Sequence, residues 1–282
     1  MITIKDLVFA YDKGKEPVLR GIDLQIEDGS YVALVGPNGC GKTTLLRHLN
    51  GLLLPTRGTV LVDGLDTRDP KSLEKIRQRV GMIFQNPDNQ IVGMTVEEDV
   101  AFGPGNLGLA PAEIRRRVRR SLETVGMVSY AQSPPHALSG GEKRLVAIAG
   151  VLAMDPCHIA LDEPTSFLDP GGRRRVLDTI KTLNEQGLTV IHVSHDMNEI
   201  TGADRVLVMD QGRIVLEGTP REVFSRLEQL RDLGLDVPVV TDLFWRLRRT
   251  GVDVPPGVLS VKDACWALSA LIPHPREGQK ES

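Results

Sequence analysis

Residues 36–44 read "GPNGCGKTT", preceded by the apolar run "YVALV" and followed by the leucine-rich "LLRHLNGLLL". The stretch fits G-x-x-x-x-G-K-[ST] through Gly36, Gly41, Lys42 and Thr43, in the strand-then-helix context that this pattern requires. Glycines let successive backbone N–H groups turn inward as an anion-binding nest, and the start of a helix adds partial positive charge. In that geometry Lys42 reaches the outer phosphates and the Thr43 hydroxyl is placed for Mg²⁺. Taken alone, the same residues also describe a glycine-rich bend between a strand and a helix.

Outward from this stretch, short apolar runs ("VGMIFQ", "CHIALD", "LTVIHVS", "DRVLVMD") alternate with amphipathic helical patterns. That alternation predicts an α/β fold with a largely parallel sheet. The first thirty residues alternate in twos between turn signals, which predicts a small antiparallel β layer beside it. Strand signals lapse after about residue 88. The segment "PAEIRRRVRRSLETVGM" then spaces Ile114, Val118, Leu122 and Val125 on one buried helical face, so a helical subdomain is expected over about 88–155. The nucleotide-domain pattern is complete by residue 220, and prolines punctuate short helices in 221–282, read as a small C-terminal domain.

Composition narrows the function classes. The 282 residues are 41% hydrophobic and 25% charged, with 34 basic and 37 acidic side chains and a formal net charge of -3, so no global field favours nucleic acid. Cys40, Cys157 and Cys265 lie far apart, with no metal or disulfide spacing, which fits a reducing compartment. No run approaches the roughly 18 apolar residues of a membrane span. Work at a membrane therefore requires docking by other proteins.

A second motif, "CHIALDEPTS" (157–166), places Asp162 and Glu163 at the end of an apolar strand, where side chains emerge into the crevice of an open α/β sheet. There Asp162 would hold the Mg²⁺ shell through water and Glu163 would polarise an attacking water. Two carboxylates closing a strand are also a common solvated edge; the spacing from the first motif favours the chemical reading.

The third motif, "LSGGEKRLVAIAGVLAMDP" (138–156), resembles the signature of ATP-binding-cassette (ABC) ATPases through Ser139, Gly140 and Gly141, with Glu142 at the next signature position. The resemblance implies the ABC ATPase fold, with a P-loop core, an antiparallel β subdomain and a helical signature subdomain. It implies ATP bound by Gly36, Pro37, Asn38, Gly39, Cys40, Gly41, Lys42, Thr43 and Thr44, with Tyr11 stacked on adenine. It implies catalysis by Glu163, His195, Lys42 and Gln85, Mg²⁺ near Thr43, Gln85 and Asp162, and a dimer-crossing loop at Asp169. Because the signature serves the ATP of another cassette, two subunits are expected head to tail. His192, two residues before His195, is expected to be merely hydrogen-bonded.

"FQNPDNQIVGMTVEEDVAFGPGNLGL" (84–109), "TSFLDPGGRRRVL" and "EGTPREVF" are similar to ATPases of energy-coupling factor (ECF) importers and their cobalt- and nickel-transporting relatives. That similarity implies a peripheral ATPase at the cytoplasmic face of the cell membrane. Its expected partners are a second ABC ATPase, a transmembrane coupling subunit and a substrate-capture membrane subunit, without nucleic acid. "QNPDNQ" and the bulky Phe167 favour a heterodimer with a paralogue; a homodimer in a cobalt or nickel importer is the alternative. A soluble cassette protein acting on nucleic acid or ribosomes is a further class, but its usual coiled-coil insertion or second cassette is lacking here.

Asp88, Glu97, Glu98 and Asp99 form an acidic cluster, expected either to line a groove for arginine-bearing helices of the coupling subunit or to be ordinary solvated surface. The run "RRRVRR" (115–120) is read as a wet helix face in preference to a lipid contact. Glu142 replaces the usual glutamine, Leu145 a common arginine and Phe167 a small residue. Cys40 lies in the phosphate loop near a helix start, where a thiolate is electrostatically favoured, and thiol reagents are expected to inhibit with ATP protecting; for natural function, a small side chain filling a serine-like slot is the preferred reading.

Overall fold

The computed structural model describes residues 1–12 and 14–269. Strand β1 (Ile2–Phe9) pairs antiparallel with β2 (Leu19–Ile26), burying Ile2, Ile4, Leu7 and Phe9 by alternation. The fully buried β3 (Tyr31–Val35) leads into α1 (Lys42–Leu49). Next come β4 (Arg57–Val62), β5 (Leu65–Asp66), α2 (Leu73–Arg79) and β6 (Val80–Ile83). Three helices follow: α3 (Val96–Asn106), α4 (Pro111–Thr124) and α5 (Gly140–Leu152). The chain then returns through β7 (His158–Asp162), α6 (Pro170–Glu185), β8 (Thr189–Val193), β9 (Arg205–Asp210) and β10 (Arg213–Gly218). It closes with α7 (Pro220–Ser225), α8 (Leu227–Asp232), α9 (Val239–Arg249) and α10 (Val261–Ser269).

The central sheet runs β10-β9-β3-β8-β7-β6, parallel apart from the β10 edge, and a second sheet, β2-β1-β4-β5, is antiparallel. The antiparallel layer is larger than its first-thirty-residue signature, because β4 and β5 join it from beyond the phosphate loop. Alternation along β3 separates two cores. Val32 and Leu34 face the antiparallel layer and α1, whereas Tyr31, Ala33 and Val35 face the helices around α5 and α6.

Parallel register brings the chemistry together. Leu34 is opposite Val193, Asp162 opposite Val193, and Ile83 opposite Leu161, so the loops after β3, β8, β7 and β6 leave the same edge. On α4, Val118 and Leu122 are buried, with Val125 just beyond the helix and Ile114 partly covered.

The C-terminal boundary differs from the sequence reading. Val223, Phe224, Leu227, Leu230, Leu235 and Val237 belong to the main core, so packing continues unbroken across residues 220 and 221. A separate small core of Phe244, Val254, Val258, Ala264 and Ala267 begins only with α9. The proline and glycine punctuation marked helix ends there, not a gap in burial. Residues 270–282 of the expected C-terminal domain lie outside the described residues. No helix among the described residues is long and apolar enough to cross a membrane.

Candidate active site

The loop after β3 closes tightly. A Cβ on Gly36 would fall 2.2 Å from the Met209 carbonyl oxygen, and Gly41, which opens α1, has φ 110, where side chains are rarely accommodated. No side chain caps α1, which leaves its first N–H groups directed at the loop. The Lys42 ammonium donates to the carbonyls of Gly36 (2.7 Å) and Pro37 (3.0 Å). Thr43 Oγ1 donates to Asp162 Oδ1 at 3.0 Å, linking the end of β7 to α1. Thr44 Oγ1 is 3.0 Å from the hydroxyl of Tyr11, whose exposed ring stands edge-on to Phe9.

Cys40 departs from the thiolate expectation and fits the slot-filling one. Its side chain is buried beneath the loop, and burial pushes the thiol up; the Lys42 ammonium, 4.0 Å away, offsets only part of this. At Cys40 the cost of burying a charged sulfur outweighs the help of the helix start and of the nearby ammonium.

Around Glu163 the loops after β6, β7 and β8 converge. Its Oε2 accepts from Gln85 Nε2 at 2.7 Å and from Ser166 Oγ at 2.9 Å, and His195 Nδ1 lies 3.5 Å away. Its own N–H donates to the Val193 carbonyl at 3.0 Å, and its φ is 48, a left-handed conformation held in place by these contacts. Asp162 is buried, and burial raises its carboxyl pKa; the Glu163 charge adds to this and the Thr43 hydroxyl opposes it. His195 is exposed, whereas His192 is enclosed, bonded through Nδ1 to the Tyr31 hydroxyl (2.7 Å) and pushed by burial down to about 4.

Ser139 caps α5. Glu142 Oε2 accepts from the Ser139 N–H (2.8 Å) and hydroxyl (2.6 Å), while the Glu142 N–H donates to Ser139 Oγ (3.3 Å). These bonds hold the Glu142 carboxyl below the usual range. Glu142 thereby completes a capping box, a job glutamine also performs. Gly140 and Gly141 form the first turn, and a Cβ on Gly141 would meet the Gly172 Cα of α6 at 2.9 Å. Asp169 accepts from the N–H groups of Gly171 (2.8 Å) and Gly172 (3.0 Å), capping α6. The side chain that projects there is Phe167, 95% exposed with φ 65.

The acidic cluster is divided by its local bonds. Asp88 pairs with Lys143 (2.7 Å) and Glu97 accepts from Gln132 (2.5 Å). Glu98 closes the capping box of α3 with Thr95, and Asp99 is buried, accepting from Val92 N–H (2.7 Å) and Gly93 N–H (3.0 Å). Asp99 is therefore internal scaffolding and not part of a solvated surface. Within the basic run, Arg116 and Arg117 both pair with Glu113 and Arg119 with Glu123, so much of its charge is spent within α4.

Two residues that sequence reading passed over belong to this site. Arg144, fully buried on α5, donates to the carbonyls of Phe84 and Gln85. Its signal was a charge in helical register with the buried Gly141, Ile148 and Val151. Glu199, in the turn after β8, accepts from Thr165 and Ser194, and local pattern gives no sign of its burial.

A family model described as ABC transporter matches residues 19–166. The chain is 56% identical over 277 residues to the cobalt import ATP-binding protein CbiO of Syntrophus aciditrophicus, covering 98% of this chain and 99% of that one. It is 54% identical over 267 residues to the energy-coupling factor transporter ATP-binding protein EcfA1 of Caldanaerobacter subterraneus, covering 93% and 96%. Among solved structures, cbiO1 from Clostridium perfringens, described as part of the ABC transporter complex cbiONQ, matches with TM-score 0.75 and 37% identity, covering 89% of this chain and 96% of that one. The dimeric cassette MJ0796, in a post-hydrolysis state bound to ADP and Pi, matches with TM-score 0.70 and 33% identity, covering 78% and 98%. Phosphate loop, carboxylate pair, capped signature helix and whole-chain similarity agree: the chain belongs to the ABC transporter family, on the branch of ATP-binding subunits that includes CbiO and EcfA1.

Proposed function

We propose that this chain is the ATP-hydrolysing subunit of an energy-coupling factor importer, acting at the cytoplasmic face of the cell membrane as one of two facing cassettes. The observation that carries the reading is the Glu163 carboxylate, met by Gln85, Ser166 and His195 from separate loops, one strand-end away from Thr43 and Asp162. Glu163 orients water for in-line attack, Lys42 and the loop N–H groups hold the phosphates, and His195 contacts the transferred group. The signature segment of the facing cassette closes the site from the other side, and Ser139 of this chain serves the facing site in the same way.

Thr43 and Asp162 offer an all-oxygen donor set suited to Mg²⁺, with the Gln85 amide close to Glu163 beside it. The raised carboxyl of the buried Asp162 is the cost that a nearby cation relieves. When bound, Mg²⁺ neutralises phosphate charge; the chain itself supplies orientation.

The relative named for cobalt import supports a transition-metal ion as cargo, and a vitamin is the alternative that the resemblance to energy-coupling factor importers implies. Phe167 and "QNPDNQ" favour a heterodimer with a paralogous ATPase, with a homodimer as the second reading. Exposed Val92, Met94 and Phe102 beside Asp88 and Glu97 support docking of a basic, amphipathic helix from the membrane coupling subunit. Exposed Val239, Val261 and Trp266 support pairing through the small C-terminal unit.

The deciding experiment is Glu163→Gln. It should bind ATP, accumulate an associated form on size-exclusion chromatography and lose about 10²- to 10⁴-fold in turnover. Turnover equal to wild type would overturn the assignment.

A further inference from the structure

Behind the reacting groups lies a carboxylate that does not point at the phosphate loop. Glu199 is nearly enclosed, its side chain 3% exposed, and one oxygen, Oε2, accepts two hydroxyls: Thr165 Oγ1 at 2.8 Å and Ser194 Oγ at 2.8 Å. Thr165 follows Glu163 by two residues and precedes Ser166, itself bonded to Glu163 Oε2. Ser194 immediately precedes His195. The other oxygen, Oε1, has no hydrogen-bond partner among the described residues and faces Arg173 Nε at 3.5 Å. Arg173 lies in the first turn of α6, behind Asp169, and also donates to Asp196 Oδ2 at 2.8 Å. His192 Nε2 lies 4.0 Å from Oε2.

We propose that Glu199 is a positioning residue for hydrolysis, the single buried acceptor that fixes the segment after Glu163, the segment carrying His195 and the first turn of α6 as one unit. The proposal rests on reading Glu163 and His195 as the hydrolytic groups. Two observations support such a tie. Glu163 holds φ 48, a conformation that persists only where neighbours over-determine it, and Thr165 is the neighbour anchored to Glu199. His195 is exposed and, among the described residues, its ring reaches Glu163 alone, so its place is set by the backbone at Ser194, whose side chain is anchored to the same oxygen. A carboxylate serves here because one oxygen accepts two O–H donors while the other faces a guanidinium; an amide would present N–H groups to Arg173. A displacement of the water-orienting and phosphate-contacting groups of even an ångström is costly to rate and nearly neutral to nucleotide affinity.

The test is steady-state ATPase kinetics on the assembly in which the wild-type chain hydrolyses ATP. Glu199→Ala and Glu199→Gln should lower kcat by about 10- to 100-fold while KM for ATP stays within about twofold. Thr165→Val and Ser194→Ala should each lower kcat by a smaller factor and have no further effect in the Glu199→Ala background. Unchanged kcat in Glu199→Ala, full additivity of the hydroxyl variants, or parallel loss of kcat and ATP affinity with the melting temperature would each overturn the proposal. Should Glu199→Ala not fold, Glu199→Gln and the hydroxyl variants carry the same kcat-against-KM readout. A Glu163→Gln variant with normal turnover would remove the underlying reading. An inactive Glu163→Gln beside a fully active Glu199→Ala would remove this proposal alone.

Discussion

Arg144 of the signature helix donates from its guanidinium to the main-chain carbonyl of Gln85, 2.5 Å away, while the Gln85 side chain reaches Glu163. The helix that begins at Ser139 is thus joined through one buried side chain to the loop that touches the Glu163 carboxylate. Movement of the helical region and geometry at Glu163 share a physical link.

That link sets the first prediction. Burial pushes the Arg144 guanidinium down to about 10, and its Nε lacks a partner, so the residue is retained at a cost. Arg144→Met leaves the Phe84 and Gln85 carbonyls without their donor and should destabilise the chain by about 2–3 kcal/mol in chemical denaturation, together with a lower kcat. Arg144→Lys should recover only part, because a single ammonium cannot reproduce the planar fork. Wild-type stability in Arg144→Met would show that the two carbonyls find other donors.

Cys40 yields a prediction opposite to the thiolate expectation. Burial raises the thiol pKa, so at any given pH its thiolate fraction falls below that of an ordinary cysteine and recovers only as pH rises through the elevated value. At about pH 7.5, iodoacetamide should modify the exposed Cys157 and Cys265 and spare Cys40 until the chain unfolds, as mapped by peptide mass spectrometry. Cys40→Ser should retain turnover. Rapid, ATP-protected alkylation of Cys40 in the folded chain would restore the thiolate reading.

Phe167 combines a left-handed backbone with a side chain 95% exposed beside the Asp169 cap. Phe167→Gly relieves the backbone cost but loosens the unfolded chain, so the stability of the single chain should hold or rise by up to about 1 kcal/mol. Removing the ring should weaken ATP-dependent association by about tenfold or more if it is buried against a partner. Sedimentation of the two forms measures this; unchanged association would place Phe167 outside the interface.

The residue order alone determined the class of fold and the types of chemical group available. A strand, a glycine-rich loop ending in Lys42 and Thr43, a carboxylate pair closing another strand and a capped helix at Ser139 are local patterns, and local patterns are governed by backbone sterics and periodic burial that neighbouring residues impose. Tertiary packing decided which groups meet and which are withdrawn from water. Gln85, Glu163 and His195 converge only because β6, β7 and β8 lie in parallel register. Cys40 and Asp99 are interior, Glu142 and Asp169 serve as caps, and Arg144 and Glu199 became legible only with long-range partners in place. Burial and partner identity depend on segments distant in the chain, and a side chain's charge, reach and acidity follow from those two quantities.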